Sequence, residues 1–168
     1  GAIFGATGGV MEAALRTVSE ILEQKETPID FLEMRGTQDV KEATYTLQGK
    51  EINVAVVHGG AATKAFLEHL KTSDKQYHFV EFMGCTGGCI NGGGQPIVVA
   101  KDQETHDVRA LRASVLYKID EKQRMRKSHQ NPFVLELYED FLGKPHSKKA
   151  HELLHTTYHK REIYAKVE

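Results

Sequence analysis

Residues 81–96, EFMGCTGGCINGGGQP, contain both cysteines of the 168-residue chain and its densest run of glycine. The residues just before, 77–83, are rich in aromatic and β-branched side chains and predict a buried strand. Glycine allows positive φ and a close approach of backbone to a ligand, so the stretch after this strand predicts a tightly wrapped loop. We call residues 84–96 the cysteine loop.

The spacing of the cysteines argues against the commonest two-cysteine motifs. Three residues separate Cys85 from Cys89, whereas zinc knuckles and thioredoxin-type redox pairs usually have two. Thiolates with glycine between them suit an iron–sulfur site, in which backbone N–H groups point at inorganic sulfur. Two unrelated buried cysteines beside a flexible loop would explain the spacing equally well. The residues alone leave both interpretations open.

Longer motifs resemble a known family. GCTGGCINGGGQP at residues 84–96, preceded by Met83, closely resembles the third cluster-binding motif of the [FeFe]-hydrogenases. FGATGGVMEAALR at residues 4–16 resembles another segment of the same catalytic domain. NPFVLELYEDFLGKP at residues 131–145 and HELLHTTY at residues 151–158 resemble the family's C-terminal helical wrap.

The resemblance implies one lobe of a hydrogenase catalytic domain. That domain holds the H-cluster, a [4Fe–4S] cluster joined to a diiron unit with CO and CN⁻, and reduces protons reversibly to H2. By resemblance, Cys85 is a ligand of the [4Fe–4S] part, and Cys89 is the thiolate that also bridges to the diiron part. The further cofactor-binding residues implied are Phe4, Gly5, Met83, Gln95 and Pro96.

Each of these further residues has an implied role. Phe4 and Gly5 would line the diiron pocket, and Phe4 and Met83 would be apolar walls that exclude water. Gln95 and Pro96 would fix the cysteine loop. The family's proton-shuttling residues lie outside the matching segments, so no catalytic acid or base is assignable in this chain.

The sequence also departs from the family. Two of the four cluster cysteines lie in motifs of the TSCxPxW and MPCxxK type, and neither motif occurs in these 168 residues. We therefore expect a fragment or one chain of a divided enzyme, inactive alone and paired with the N-terminal lobe. An electron carrier such as ferredoxin would act through the complete enzyme. A non-catalytic iron–sulfur module, for electron relay, redox sensing or cluster assembly, is the alternative.

Composition restricts the partners and the compartment. A net charge of −1 gives no electrostatic case for nucleic acid or an anionic membrane, and no apolar stretch approaches the roughly 20 residues of a membrane span. Two cysteines are too few for a disulfide scaffold, which favours a reducing cytoplasm; export with a partner chain would place the protein in the periplasm instead. Isolated from its partner lobe, the chain should expose apolar surface and self-associate as a homodimer.

The hydrophobic pattern predicts an α/β fold, with a mainly parallel sheet flanked by helices and a helical C-terminal extension. Residues 1–105 would form the α/β lobe and residues 106–168 the helical wrap. A strand, glycine turn, helix and strand over residues 52–83 predict a parallel βαβ unit, with His58 at the end of its first strand. The predicted strands are residues 31–35, 40–47, 52–57 and 77–83, and the predicted helices are residues 10–24, 61–71, 108–123 and 132–142.

Two further groups of charged residues have competing explanations. His151, Glu152 and His155 match HExxH, the zinc-binding pattern of metalloproteases, but the longer metzincin continuation is absent. A surface helix with solvent-facing histidines is the preferred interpretation. A basic group follows the fourth predicted helix and is interpreted as a solvated helix end; its members are Lys122, Arg124, Arg126 and Lys127.

Overall fold

The computed structural model describes residues 1–25, 27–28 and 30–160. Its contacts divide the chain into two compact units, Gly1–Ser128 and His129–Glu168, and each is described by itself. The division into residues 1–105 and 106–168 stays a prediction, and the last part of that wrap, residues 161–168, lies outside the described residues.

The first unit contains a sheet of three strands in the order β1, β2, β3; they span Val40–Leu47, Lys50–His58 and Phe79–Met83. β1 and β2 are antiparallel and are joined by Gln48 and Gly49, whose φ angles of 50° and 73° suit a two-residue type I′ turn. β3 is parallel to β2, across helix α2 (Gly60–Thr72). The βαβ unit is confirmed, but the sheet is mixed because a two-residue turn returns the chain antiparallel.

The strand predicted for residues 31–35 is wrong. Leu32–Met34 forms a 3-10 turn, with the N–H of Met34 donating to the C=O of Phe31 at 3.0 Å. A three-residue period places Phe31 and Met34 on the same side, and both lie in the core cluster that contains Met11. A short apolar run is therefore compatible with a 3-10 turn as well as with a strand.

The core lies on both faces of β2. Val54 and Val56 belong to one buried cluster, whereas Ala55 and Val57 belong to a second cluster with Phe66 of α2. Successive residues of a strand point to opposite faces, so the continuous apolar run fills two cores at once. The prediction of a strand covered on both sides is confirmed.

Helix α1 (Gly9–Glu23) buries charge as well as apolar surface. Arg16 donates to Glu12 at 2.8 Å and to Asp120 at 2.9 Å, and all three side chains are buried. Arg126 also donates to Asp120, at 2.9 Å. Burial raises the pKa of Asp120, but hydrogen bonds from the two arginines outweigh it, so the net shift is downward. The carboxylate therefore stays ionised and links the start of the chain to residues more than a hundred positions later.

The remaining described elements are helical. They include the short 3-10 turns Ala2–Gly5, Cys89–Asn91 and Ser128–Gln130. The first unit also contains α3 (Ala100–Thr105) and α4 (Val108–Glu121); the second contains α5 (Pro132–Leu137), a π-helical turn (Tyr138–Leu142) and α6 (Lys148–Leu154). Asn131 and Ser147 cap α5 and α6 by accepting backbone N–H bonds from Phe133 and Ala150. No helix within the described ranges has the length and apolar character to cross a membrane.

Candidate functional site

The cysteine loop leaves the sheet at the carboxyl edge shared by β2 and β3. His58 and Met83 are register partners at this edge, and the N–H of Gly59 donates to the C=O of Met83 at 2.9 Å. The glycine turn after β2 and the cysteine loop after β3 therefore begin side by side, at the edge where α/β proteins commonly bind ligands.

Each sulfur is carried by a tight turn. Both thiols are free and exposed. The N–H of Gly88 donates to the C=O of Cys85 at 3.0 Å, and the N–H of Gly92 donates to the C=O of Cys89 at 3.1 Å. A Cβ added to Gly92 would lie 3.9 Å from the Sγ of Cys85, so the second turn returns toward the first sulfur. The sequence prediction of a tightly folded glycine segment is met in this part of the loop.

Gly88 lies against the N-terminal loop, residues 1–8. Its φ is 95°, and an added Cβ would stand 2.7 Å from the carbonyl oxygen of Gly5 and 2.9 Å from the backbone nitrogen of Thr7. The N–H of Thr7 donates to the C=O of Gly87 at 3.0 Å. Only glycine permits this approach, which brings Gly5 beside the cysteine turns.

A cavity of about 340 Å³ opens beside Cys89. Gly5 and Gln95 share its lining with Val115 and Leu116, two apolar residues of α4. The structure thus brings three of the predicted site residues together around one volume.

The other predicted site residues are not in that lining. Phe4 is 42% exposed, Met83 is half-buried at the end of β3, and Cys85 faces solvent. Pro96 lines a second cavity of about 560 Å³, and Gln95 borders both cavities.

His58, predicted only as the end of the first strand of the βαβ unit, also belongs to this region. It is 1% exposed, and its Nδ1 accepts the N–H of Gly87, between the cysteines, at 3.2 Å. Because Nδ1 accepts, the ring proton of the neutral imidazole lies on Nε2. That Nε2 is buried and has no hydrogen-bond partner within the described part of the chain. Its position at the end of a buried strand, beside the strand that leads into the cysteine loop, is the available sequence signal.

Glu81 and Lys41 bind backbone groups near the start of α1, next to this region. The carboxylate of Glu81 accepts the N–H groups of Gly8 and Met11, both at 2.7 Å, at the start of α1. The Nζ of Lys41 donates to the C=O of Thr7 at 3.2 Å. Burial lowers the pKa of Lys41 to about 8, although the charge of Glu81 acts in the opposite direction. Neither residue was singled out from the sequence, because lone charged residues in strands usually face water.

The sequence matches two known protein families. Residues 1–93 match the family described as "Iron only hydrogenase large subunit, C-terminal domain". The chain belongs to this iron-only hydrogenase family. Residues 106–161 match a second family, "Iron hydrogenase small subunit". The resemblance seen in the motifs is therefore confirmed over most of the sequence.

Individual relatives match nearly the whole chain. Iron hydrogenase 1 of Clostridium pasteurianum is 47% identical over 161 residues, which cover 95% of this chain and 28% of that protein. Cytosolic iron-sulfur assembly component 3 of Rattus norvegicus is 32% identical over 92% of this chain and 32% of its own length. The chain thus spans about a third or less of these curated relatives.

A solved structure supports the fold. An [FeFe]-hydrogenase variant from Chlamydomonas reinhardtii superposes with a TM-score of 0.69 at 35% identity, over 92% of this chain and 45% of that chain. The small mixed sheet with flanking helices is therefore similar to part of that [FeFe]-hydrogenase.

The donor atoms of the cysteine loop fit part of an iron–sulfur cluster. It offers two thiols, and within the described residues no group of three or more His, Cys, Asp or Glu side chains could hold a metal. A [4Fe–4S] cluster is bound by four thiolates, so the two thiols of this loop would supply half of its ligands. The N–H groups of Gly87 and Gly88 already donate to His58 and Cys85, so they do not point at inorganic sulfur as the spacing suggested.

The HExxH segment lies in the second unit. α6 ends at Leu154, and the rings of His151 and His155 face each other with centroids 4.4 Å apart. Both histidines are exposed, as the surface-helix interpretation predicted.

Proposed function

We propose that this chain supplies Cys85 and Cys89 as ligands of an H-cluster in an [FeFe]-hydrogenase. Cys85 would bind the [4Fe–4S] part, and Cys89 would bridge to the diiron part. When bound, the cluster would supply the iron centre at which protons are reduced reversibly to H2. The observation that carries the proposal is the pair of free, exposed thiols on consecutive turns, the second of which lines the cavity with Gly5 and Gln95.

The chain's own residues would shape and dry the site. Gly5 brings backbone close to Cys89 without a side chain, and Val115 and Leu116 contribute apolar lining to the cavity beside that thiol. Phe4 and Met83 would add apolar walls once a second lobe covers them. Gln95 and Pro96 end the glycine run and would hold the loop.

Exposed apolar residues near the loop support a partner lobe. Phe4, Ile97, Leu111 and Val115 are all exposed, the last two one helical turn apart on α4. Apolar surface of this kind commonly marks an interaction site. The N-terminal lobe of the same enzyme, carrying the other cluster cysteines, is the proposed cover. Electrons would reach the complete enzyme from a carrier such as ferredoxin, in the cytoplasm unless a partner chain is exported with it.

A second candidate is an iron–sulfur module without hydrogenase activity. It is favoured by the relative named as a cytosolic iron–sulfur assembly component, which matches 92% of this chain. Both candidates use the same thiols and differ in the reaction of the completed protein.

Anaerobic reconstitution with iron and sulfide, followed by addition of a diiron complex that carries CO and CN⁻, together with the N-terminal lobe, tests both candidates. We expect iron and acid-labile sulfide in the wild type and a marked loss of both in Cys85→Ser and Cys89→Ser. Thr86→Ser, which keeps both thiols, is the matched control. H2 evolution with a reduced viologen should occur with the complete assembly and not with this chain alone. Full cluster content without H2 evolution would favour the assembly module, and cluster content unaffected by both serine variants would overturn the ligand assignment.

A further inference from the structure

The second half of the cysteine loop has few contacts of its own. We call residues 91–95 the tri-glycine segment. A Cβ added at Gly93 or Gly94 would meet no heavy atom within 4 Å, and the N–H of Gln95 donates only locally, to the C=O of Gly92 at 3.1 Å. Three consecutive glycines retain many backbone conformations, so a single geometry here needs a contact from outside the segment.

Arg112 of α4 supplies that contact. One terminal nitrogen donates to the C=O of Ile90 at 3.0 Å, and the other donates to the C=O of Pro96 at 2.7 Å. These carbonyls stand immediately before and after the tri-glycine segment, so one half-buried guanidinium closes it into a loop. A planar guanidinium suits this task because its donors lie on separate nitrogens in a fixed fork, whereas a lysine ammonium is a single point.

The same side chain lies beside a cysteine. Arg112 and Cys89 both line the cavity of about 340 Å³, and Ile90, whose carbonyl the arginine binds, directly follows Cys89. The guanidinium therefore constrains the turn that carries this sulfur, as well as Gln95 and Pro96 at the far end of the loop.

We propose that Arg112 is a positioning residue of the cysteine site. The proposal rests on the proposed function, in which Cys89 is a cluster ligand, and adds a residue from a different family segment. Arg112 lies within residues 106–161, which match the small subunit, whereas both cysteines lie within residues 1–93, which match the large subunit. The small-subunit-like segment thus sets the geometry of the metal-binding loop.

Hydrogen exchange of the full metal-free chain tests the positioning role. Arg112→Met removes both donors and keeps an apolar stem, and Arg112→Lys keeps the charge but not the fork. Arg124→Met, at an exposed arginine beyond the end of α4, is the matched control. The readouts are the amides of Gly92 and Gln95, with the amide of Gly87, which binds His58, as internal reference.

Arg112→Met should speed exchange at Gly92 and Gln95 by about tenfold or more, the effect of losing hydrogen bonds from a charged donor. Arg112→Lys should give an intermediate increase, and the amide of Gly87 should stay unchanged. Unchanged exchange at Gly92 and Gln95 would overturn the proposal. Equal acceleration at Gly87 would also overturn it, because it would mean a general loosening of the unit.

Cobalt(II) titration gives a spectroscopic readout of the thiols themselves. Absorption from thiolate-to-cobalt charge transfer should appear with the wild type and with Arg124→Met. Arg112→Met should bind cobalt about tenfold more weakly, because binding must then order the loop. Equal affinity would count against positioning of Cys89. Absence of the band in the wild type would count against the proposed ligand role, while the exchange comparison would still decide the role of Arg112.

Discussion

Glu81 joins β3 to the start of α1, and Glu81→Gln tests what that junction contributes. The residue is 6% exposed, and its two carboxylate oxygens accept separate N–H bonds from Gly8 and Met11 at 2.7 Å. Glutamine keeps one oxygen and places an NH2 group at the other position. The variant therefore loses one acceptor and sets a buried donor against another donor.

The magnitude follows from these two changes. A hydrogen bond to a charged group contributes about 1.5–3 kcal/mol, and an unsatisfied buried donor costs about 1–3 kcal/mol. Loss of negative charge at a helix N-terminus removes about 0.3–1 kcal/mol more. Because these terms overlap, we expect the free energy of unfolding to fall by about 3 kcal/mol. Lys41 will add a little to this loss, because the Glu81 charge favours the buried ammonium and its removal lowers the pKa of Lys41 further below its ordinary value.

Urea unfolding followed by far-ultraviolet circular dichroism measures the effect. Glu51→Gln is the matched control, because Glu51 lies on β2 of the same sheet and is exposed. We expect the control to change stability by less than about 0.5 kcal/mol. Amide exchange at Gly8 and Met11 should increase most in Glu81→Gln. A Glu81→Gln protein as stable as the control would refute the reasoning.

Three further outcomes follow from buried groups and from the loop contact. Burial lowers the pKa of Lys41 from 10.5 to about 8, so between these pH values the unfolded chain holds a proton that the folded chain lacks. Stability by urea unfolding should therefore rise with pH across this window, and a similar rise in Lys41→Met would contradict the assignment. Asp120→Asn should lower stability by about 1–3 kcal/mol, because it removes one carboxylate from the buried guanidinium of Arg16, which keeps Glu12 as a carboxylate partner; a loss under about 0.5 kcal/mol in thermal unfolding would exclude this. Gly88→Ala should cost more than about 1 kcal/mol, whereas Gly94→Ala, in open space, should cost little; equal stabilities in the same assay would refute the loop contact.

The sheet and the edge that carries the cysteine loop were predictable because buried strands have a periodic or continuous pattern of apolar residues. β1 and β2 were predicted from alternation and from a continuous apolar run, and each extends no more than two residues beyond the predicted bounds. The glycine turn and helix between β2 and β3 predicted the parallel pair, and hence the edge from which the cysteine loop leaves. The pattern of apolar residues within a strand shows which of its faces are buried, so a local stretch of sequence is enough to predict the strand.

Buried charged residues produce no such pattern in the sequence. Arg126 and Lys127 were interpreted as part of a solvated helix end, yet both side chains are largely buried in ion pairs, Arg126 with Asp120 and Lys127 with Glu20. The partner in the second pair lies more than a hundred residues away, and periodicity does not report such distances. Helix α1 shows the same effect, since the charged Glu12 and Arg16 are buried while the apolar Ile21 is exposed.

Contacts to the backbone are harder still to predict, and they decide the geometry of this site. His58 and Arg112 act on an N–H and on carbonyls of the cysteine loop, groups that almost every residue possesses. Their specificity lies in position alone, which only the assembled fold defines. The sequence could therefore identify the two thiols but not the side chains that hold their turns.

Some residues of the cysteine loop anchor it to the rest of the protein, and others expose their side chains to solvent. Gly87, Gly88 and Ile90 are buried, whereas Cys85 and Cys89, interleaved with them, are exposed. The anchors use backbone contacts and one apolar side chain, so neither sulfur is needed to hold the loop in place. In the proposed site, both thiols would bind metal without loss of the packing beneath them, and the remaining ligands would come from the partner lobe on their open side. Phe4 and residues of α4 are exposed on the surface near the loop, so the proposed partner lobe would dock there, on the same side of the sheet edge as the proposed cluster.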